Sequence, residues 1–144
     1  MTTRLKSFVD IAPDSDFPLE NLPYGIFSDK QNAQPRAGVA LGEWVVDLAA
    51  LEAKGYLKLE QGQQFFNQPT LNAFIESGKA NWSKVRAELQ ALLSADHAEL
   101  RDNQELRDQV FFKQSDVKMH LPVYIPGYTD FYSSKEHATN VGCM

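Results

Sequence analysis

Residues 127–142, GYTDFYSSKEHATNVG, place two carboxylates (Asp130, Glu136), two tyrosines (Tyr128, Tyr132), two serines (Ser133, Ser134) and a histidine (His137) in sixteen positions. The types suit a reactive site. A neutral imidazole takes a proton from water as a general base. A loop carboxylate such as Asp130 holds a hard cation. Each residue also has an ordinary use: Asp130 as a turn residue, the tyrosines as core or rim packing, and the histidine on a short capped helix. The other two histidines carry less. His97 lies in a polar helical pattern and His120 in a strand, so both read as structural or solvated.

Local signals say how the cluster is positioned. Pro126-Gly127 ends a strand formed by VKMHLPVYI, so Tyr128, Thr129 and Asp130 fall in a loop. Ser133 and Glu136 stand at capping-box spacing, with Ser134 as a competing cap, and Gly142 suits the position just past the end of the helix. His137 then sits in the first turn.

The rest of the chain must supply the scaffold. Its 144 residues make one domain, or one domain and the start of another. At 43% hydrophobic and 23% charged it has the composition of a globular chain with a core. The net charge of −5, from 14 Lys and Arg against 19 Asp and Glu, disfavours nucleic acid or an anionic membrane as a partner. No apolar run reaches membrane-spanning length, and no apolar stretch follows Arg4 and Lys6 as in a signal peptide. Cys143 is the one cysteine, which leaves no internal disulfide and no cysteine-rich zinc site. These features together favour the cytoplasm.

Pro13, Pro18 and Pro23 break the first stretch into extended pieces joined by turns. RAGVALGEWVVDLAA alternates on both sides of Gly42-Glu43 and predicts a hairpin, followed by a short helix capped by Asp47 and closed by Gly55. A helical half follows. Pro69 and Gly78 bracket one helix, Trp82, Val85, Leu89, Leu92 and Leu93 form one stripe of a second, and Asp102 caps a third with Glu105 three residues on.

YTDFYSSKEHATNVG resembles the segment that opens the catalytic domain of the fumarylacetoacetase family. DSDFPLENLPYGIFS, PRAGVALGEWVVDL and ELRDNQELRDQVF resemble that family's N-terminal domain in the same order, so the resemblance covers almost the whole chain. It implies an α+β, mainly β chain: a small SH3-like barrel with packed helices over 1–118, then over 119–144 the first strand, loop and helix of a mostly β catalytic domain. It implies a metal-dependent hydrolase that cleaves a carbon–carbon bond of the β-diketone fumarylacetoacetate to fumarate and acetoacetate, the last step of tyrosine and phenylalanine breakdown. By the same likeness His137 is the base that activates water, Tyr132 contacts substrate, and Asp130 ligates Ca²⁺ or Mg²⁺. Tyr128 and Ser134 carry over only as neighbours. Two departures stand out: Pro126-Gly127 where the family often has Gly-Asp, and Cys143 where an aliphatic residue or threonine is usual.

The family draws its remaining metal ligands and charge-stabilising groups from later in its chain, and Ca²⁺ or Mg²⁺ needs six or more oxygen ligands. These 144 residues are therefore expected to be inactive alone, as the first part of a longer, homodimeric enzyme without nucleic-acid or membrane partners. The competing expectation is a non-catalytic barrel module for protein–protein assembly. A different hydrolase, decarboxylase or isomerase of the wider superfamily is disfavoured, since many of those lack the N-terminal motifs.

Overall fold

Strand β1 (Tyr24–Asp29) turns Ile26 to one side and Gly25 and Phe27 to the other, and that alternation organises the domain. The computed structural model describes residues 5–59, 62–129 and 131–144. Strands β2 (Arg36–Leu41) and β3 (Trp44–Asp47) form the expected hairpin, with Gly42 in its turn at φ 56°. Strands β4 (Phe111–Lys113) and β5 (Val117–His120) complete a five-stranded antiparallel sheet in the order β4-β3-β2-β1-β5.

β4 and β5 lie at opposite ends of that order, yet only a 3-10 turn, Gln114–Asp116, separates them. Four interstrand spacings in a flat sheet would set them about 19 Å apart. Four Cα steps reach about 14 Å at full extension, and less in a 3-10 turn. The sheet must therefore curl until its edge strands approach, which gives the barrel-like shape. The chain is α+β as its motifs imply, and its helices contribute more of the described residues than its strands do.

The two faces of the curled sheet differ. The outer face carries Ile26, Ala37, Val39, Leu41 and Val46, all buried in the main core. Helix α1 (Leu48–Ala53), with Asp47 accepting from the Ala50 N–H as its cap, adds Leu48 and Leu51. Helix α2 (Asn72–Glu76) adds Phe74, and α3 (Lys79–Leu92) adds Val85, Leu89 and Leu92. Trp82 sits at the edge of the expected stripe, 40% exposed, because its indole N–H reaches back to the Phe74 carbonyl at 2.9 Å. Helices α4 (Ala98–Arg101) and α5 (Gln104–Val110) bury Leu100, Leu106 and Val110. The cap of α5 is Asn103, accepting from Leu106 N–H, and not Asp102 as the spacing suggested.

The inner face is narrow. Register pairs Gly25 with Gly38, Phe27 with Arg36, and Ala40 with Val45. A Cβ on Gly38 would stand 2.8 Å from Val45 Cγ1 and 2.9 Å from Phe27 Cε1. Gly38→Ala should accordingly lower stability by about 1–3 kcal/mol, seen as a lower urea midpoint. Gly142→Ala, where a Cβ meets nothing within 4 Å, should leave that midpoint in place.

Candidate active site

β5 ends at His120, earlier than the expected strand end at Pro126, because its pairing with β1 stops at Ile26 and Pro122 has no N–H to continue a ladder. The strand also runs across residue 118, where the sequence reading divides its two segments. His120 has a structural role, its Nε2 lying 2.8 Å from Ser28 Oγ. His97 occupies the cap position of α4.

Beyond β5, apart from the part-buried Pro122 and Val123, the apolar side chains are exposed: Leu121, Tyr124, Ile125, Tyr128 and Phe131 are each at least 65% exposed. Asp130, the carboxylate expected to hold a cation, lies outside the described residues. Helix α6 (Lys135–Gly142) then forms with Ser134 as its cap. Both Ser133 and Ser134 fit the sequence pattern. Ser134 takes the position because its backbone is extended, at φ −119° and ψ 147°, and its Oγ accepts from the His137 N–H at 3.1 Å. Gly142 is the last residue of the helix, and Cys143 the residue that caps it. No residue of α6 is buried.

This geometry brings two of the three expected site residues together. The Tyr132 and His137 rings stand 5.2 Å apart, tilted by 50°. Ser134 ties the backbone of His137 to the start of the helix, which fixes the imidazole in the first turn. A proton acceptor beside a phenol on an open surface suits a substrate held from the other side. Among the described residues, no three His, Cys, Asp or Glu side chains gather so as to hold a metal ion.

A second polar group lies inside the barrel, and sequence reasoning did not find it. Arg36, 5% exposed, bonds through Nε to Asp47 Oδ2 at 2.5 Å and through Nη2 to Asp29 Oδ2 at 2.7 Å. Its guanidinium carbon lies 4.3 Å from the Phe27 ring centre and 5.3 Å from that of Phe112. Burial opposes ionisation of Asp29. The bonds from Arg36 and from the N–H groups of Asn32 and Gln31 outweigh it and hold the carboxyl below its ordinary range. Glu52 shows the reverse balance: burial raises its carboxyl although it accepts from the N–H groups of Phe65 and Phe66. Both groups serve the fold: one fastens three strands, the other a loop.

Comparison with known proteins agrees with the motifs. Residues 20–122 match the family model described as fumarylacetoacetase N-terminal. The chain is 52% identical over 139 residues to a protein named fumarylacetoacetase from Bos taurus and 51% identical over 140 residues to one from Homo sapiens. It is 43% identical over 142 residues to one from Arabidopsis thaliana. These alignments cover 96–97% of this chain and 33–34% of the relatives, so the chain spans about a third of their length. No helix among the described residues is long and apolar enough to cross a membrane.

Proposed function

The chain belongs to the fumarylacetoacetase N-terminal family, and from that premise we propose that it forms the N-terminal portion of a metal-dependent hydrolase acting on fumarylacetoacetate. The observation that carries the reading is the near end-to-end similarity, about half of all residues over 96% of the chain, to proteins of that name. The pairing of Tyr132 with His137 on a Ser-capped helix supports it. In this reading His137 takes a proton from water as the water adds to a carbonyl carbon of the β-diketone. The neighbouring carbon–carbon bond then breaks, its electron pair leaves as an enolate, and protonation completes acetoacetate beside fumarate. Tyr132 holds the substrate against that face through its phenol.

Asp130 is the carboxylate this segment offers to Ca²⁺ or Mg²⁺. The described residues do not fit such an ion by themselves, since either cation takes six or more oxygens and no cluster of acidic or imidazole groups is present among them. The remaining ligands belong, in this proposal, to the two-thirds of the relatives that this chain does not span. A cytoplasmic homodimer of the longer polypeptide, acting on a small molecule, completes the proposal.

The direct test assays a polypeptide of the relatives' length beside these 144 residues, following loss of fumarylacetoacetate. Turnover by the long form and none by the short form is expected. Two inactive proteins would overturn the reading in favour of a barrel module, and equal activity would refute the need for the portion of the relatives that this chain does not span.

A further inference from the structure

After His120 the chain leaves the sheet, and three hydrogen bonds take over from strand pairing. Leu71 N–H donates to the Pro122 carbonyl at 2.8 Å. The Asn72 side-chain amide then grips Tyr124 at both backbone groups: Tyr124 N–H donates to Asn72 Oδ1 at 2.8 Å, and Asn72 Nδ2 donates to the Tyr124 carbonyl at 2.9 Å. Val123, between the two, packs against the main core. Beyond Tyr124, bonds such as Ser133 N–H to the Phe131 carbonyl and Ala138 N–H to the Ser134 carbonyl join near neighbours.

We propose that Asn72 is a positioning residue: its carboxamide acts as a one-residue strand partner that fixes where the Tyr132–His137 segment leaves the barrel domain. A primary amide presents a donor and an acceptor in one plane, as a peptide group does, and so can match both backbone groups of Tyr124. Asp offers two acceptors and would face the Tyr124 carbonyl with an oxygen. Asn72 is also the first residue of α2, where neither Ala nor Asp harms a helix, so its choice of side chain is not set by the helix. Tyr124 lies eight residues before Tyr132 and thirteen before His137. Releasing it would move the nearest fixed points back to Val123, packed on the core, and Pro122. Since small misplacements of reacting groups are costly, the loss should appear in kcat.

The inference rests on the proposed function, so its test has two arms. In the 144-residue chain, amide exchange at Tyr124, whose N–H Asn72 Oδ1 accepts, should quicken several-fold in Asn72→Ala, and less in Asn72→Asp, which keeps an acceptor. Protection in β2 and β3 should be unchanged. Unaltered exchange at Tyr124 in Asn72→Ala would overturn the clasp. In the longer polypeptide both variants should lower kcat about tenfold, while KM for fumarylacetoacetate moves less than twofold. Quickened exchange with unchanged kcat would overturn the positioning role. If the unsubstituted longer protein fails to turn over fumarylacetoacetate, the functional reading falls and takes the catalytic arm with it, while the exchange arm still decides whether the clasp exists.

Discussion

His137→Asn, made in a polypeptide of the relatives' length, is expected to lower kcat for fumarylacetoacetate by about 10²–10⁴, the usual worth of a positioned base. The substitution is mild structurally. Asn keeps the backbone N–H that Ser134 Oγ receives, and the side chain leaves an exposed helix with no buried residue, so no core is disturbed. What goes is the imidazole, with its contact to the Tyr132 ring and its capacity to take a proton. KM should change little, and excess Ca²⁺ or Mg²⁺ should restore nothing. Tyr132→Phe gives the contrast. It keeps the ring beside His137 and removes only the phenol, so its main effect should be a higher KM if the hydroxyl binds ground and transition states equally. Steady-state kinetics on the two variants checks both. A His137→Asn protein that keeps most of its kcat would show that another group activates water.

Arg36→Met should lower stability by about 3–5 kcal/mol, because it leaves two carboxylates buried without their cation. Against a typical total of about 5–15 kcal/mol, that is enough to leave a marginal domain largely unfolded. A urea series in water and in acid would identify the cause. In the native protein the Asp29 carboxyl is held below its unfolded value, so its contribution is present above about pH 4 and is lost as pH falls through the lower folded value. In the variant the same carboxyl has lost the bond from Arg36, and only the N–H groups of Gln31 and Asn32 still oppose its burial. Its ionised form then contributes less, so less stability is lost as pH falls. The gap between the two proteins should narrow in acid. A gap independent of pH would assign the loss to the packing of the guanidinium between Phe27 and Phe112 instead.

Legibility followed the range of each interaction. The β2–β3 hairpin was readable because its alternation and its Gly42 turn are contiguous. The α3 stripe was readable for the same reason, with Trp82 displaced by one hydrogen bond to a carbonyl eight residues away. Caps were found to within one residue. Asn103 prevailed over Asp102 because the phase of α5 is set by burying Leu106 and Val110, which the cap spacing alone does not encode. The end of β5 was overestimated because VYI keeps strand composition although β1 offers no pairing past Ile26. At the site, His137 and Tyr132 stood out because they share one short segment. Arg36 with Asp29 and Asp47 did not, since each is an unremarkable charged residue until strand register sets them on one face. Asn72 gave no signal either, as its partner lies 52 positions along the chain.

On the ribosome, β1 must wait for its second neighbour. β2 and β3 emerge soon after it, but β5 arrives some 90 residues later, as the Ser28–His120 separation of 92 positions shows. At about 5–20 residues per second, that is roughly 5–20 s of synthesis. Throughout that interval one edge of β1 presents unpaired N–H and C=O groups, the arrangement most prone to pairing with another chain. The three-residue link from β4 to β5 makes completion of the sheet abrupt when it comes, because its last strand follows the opposite edge strand almost at once. The nascent chain is thus open to a chaperone, or to a second copy translated alongside it, until His120 has cleared the exit and paired with Ile26.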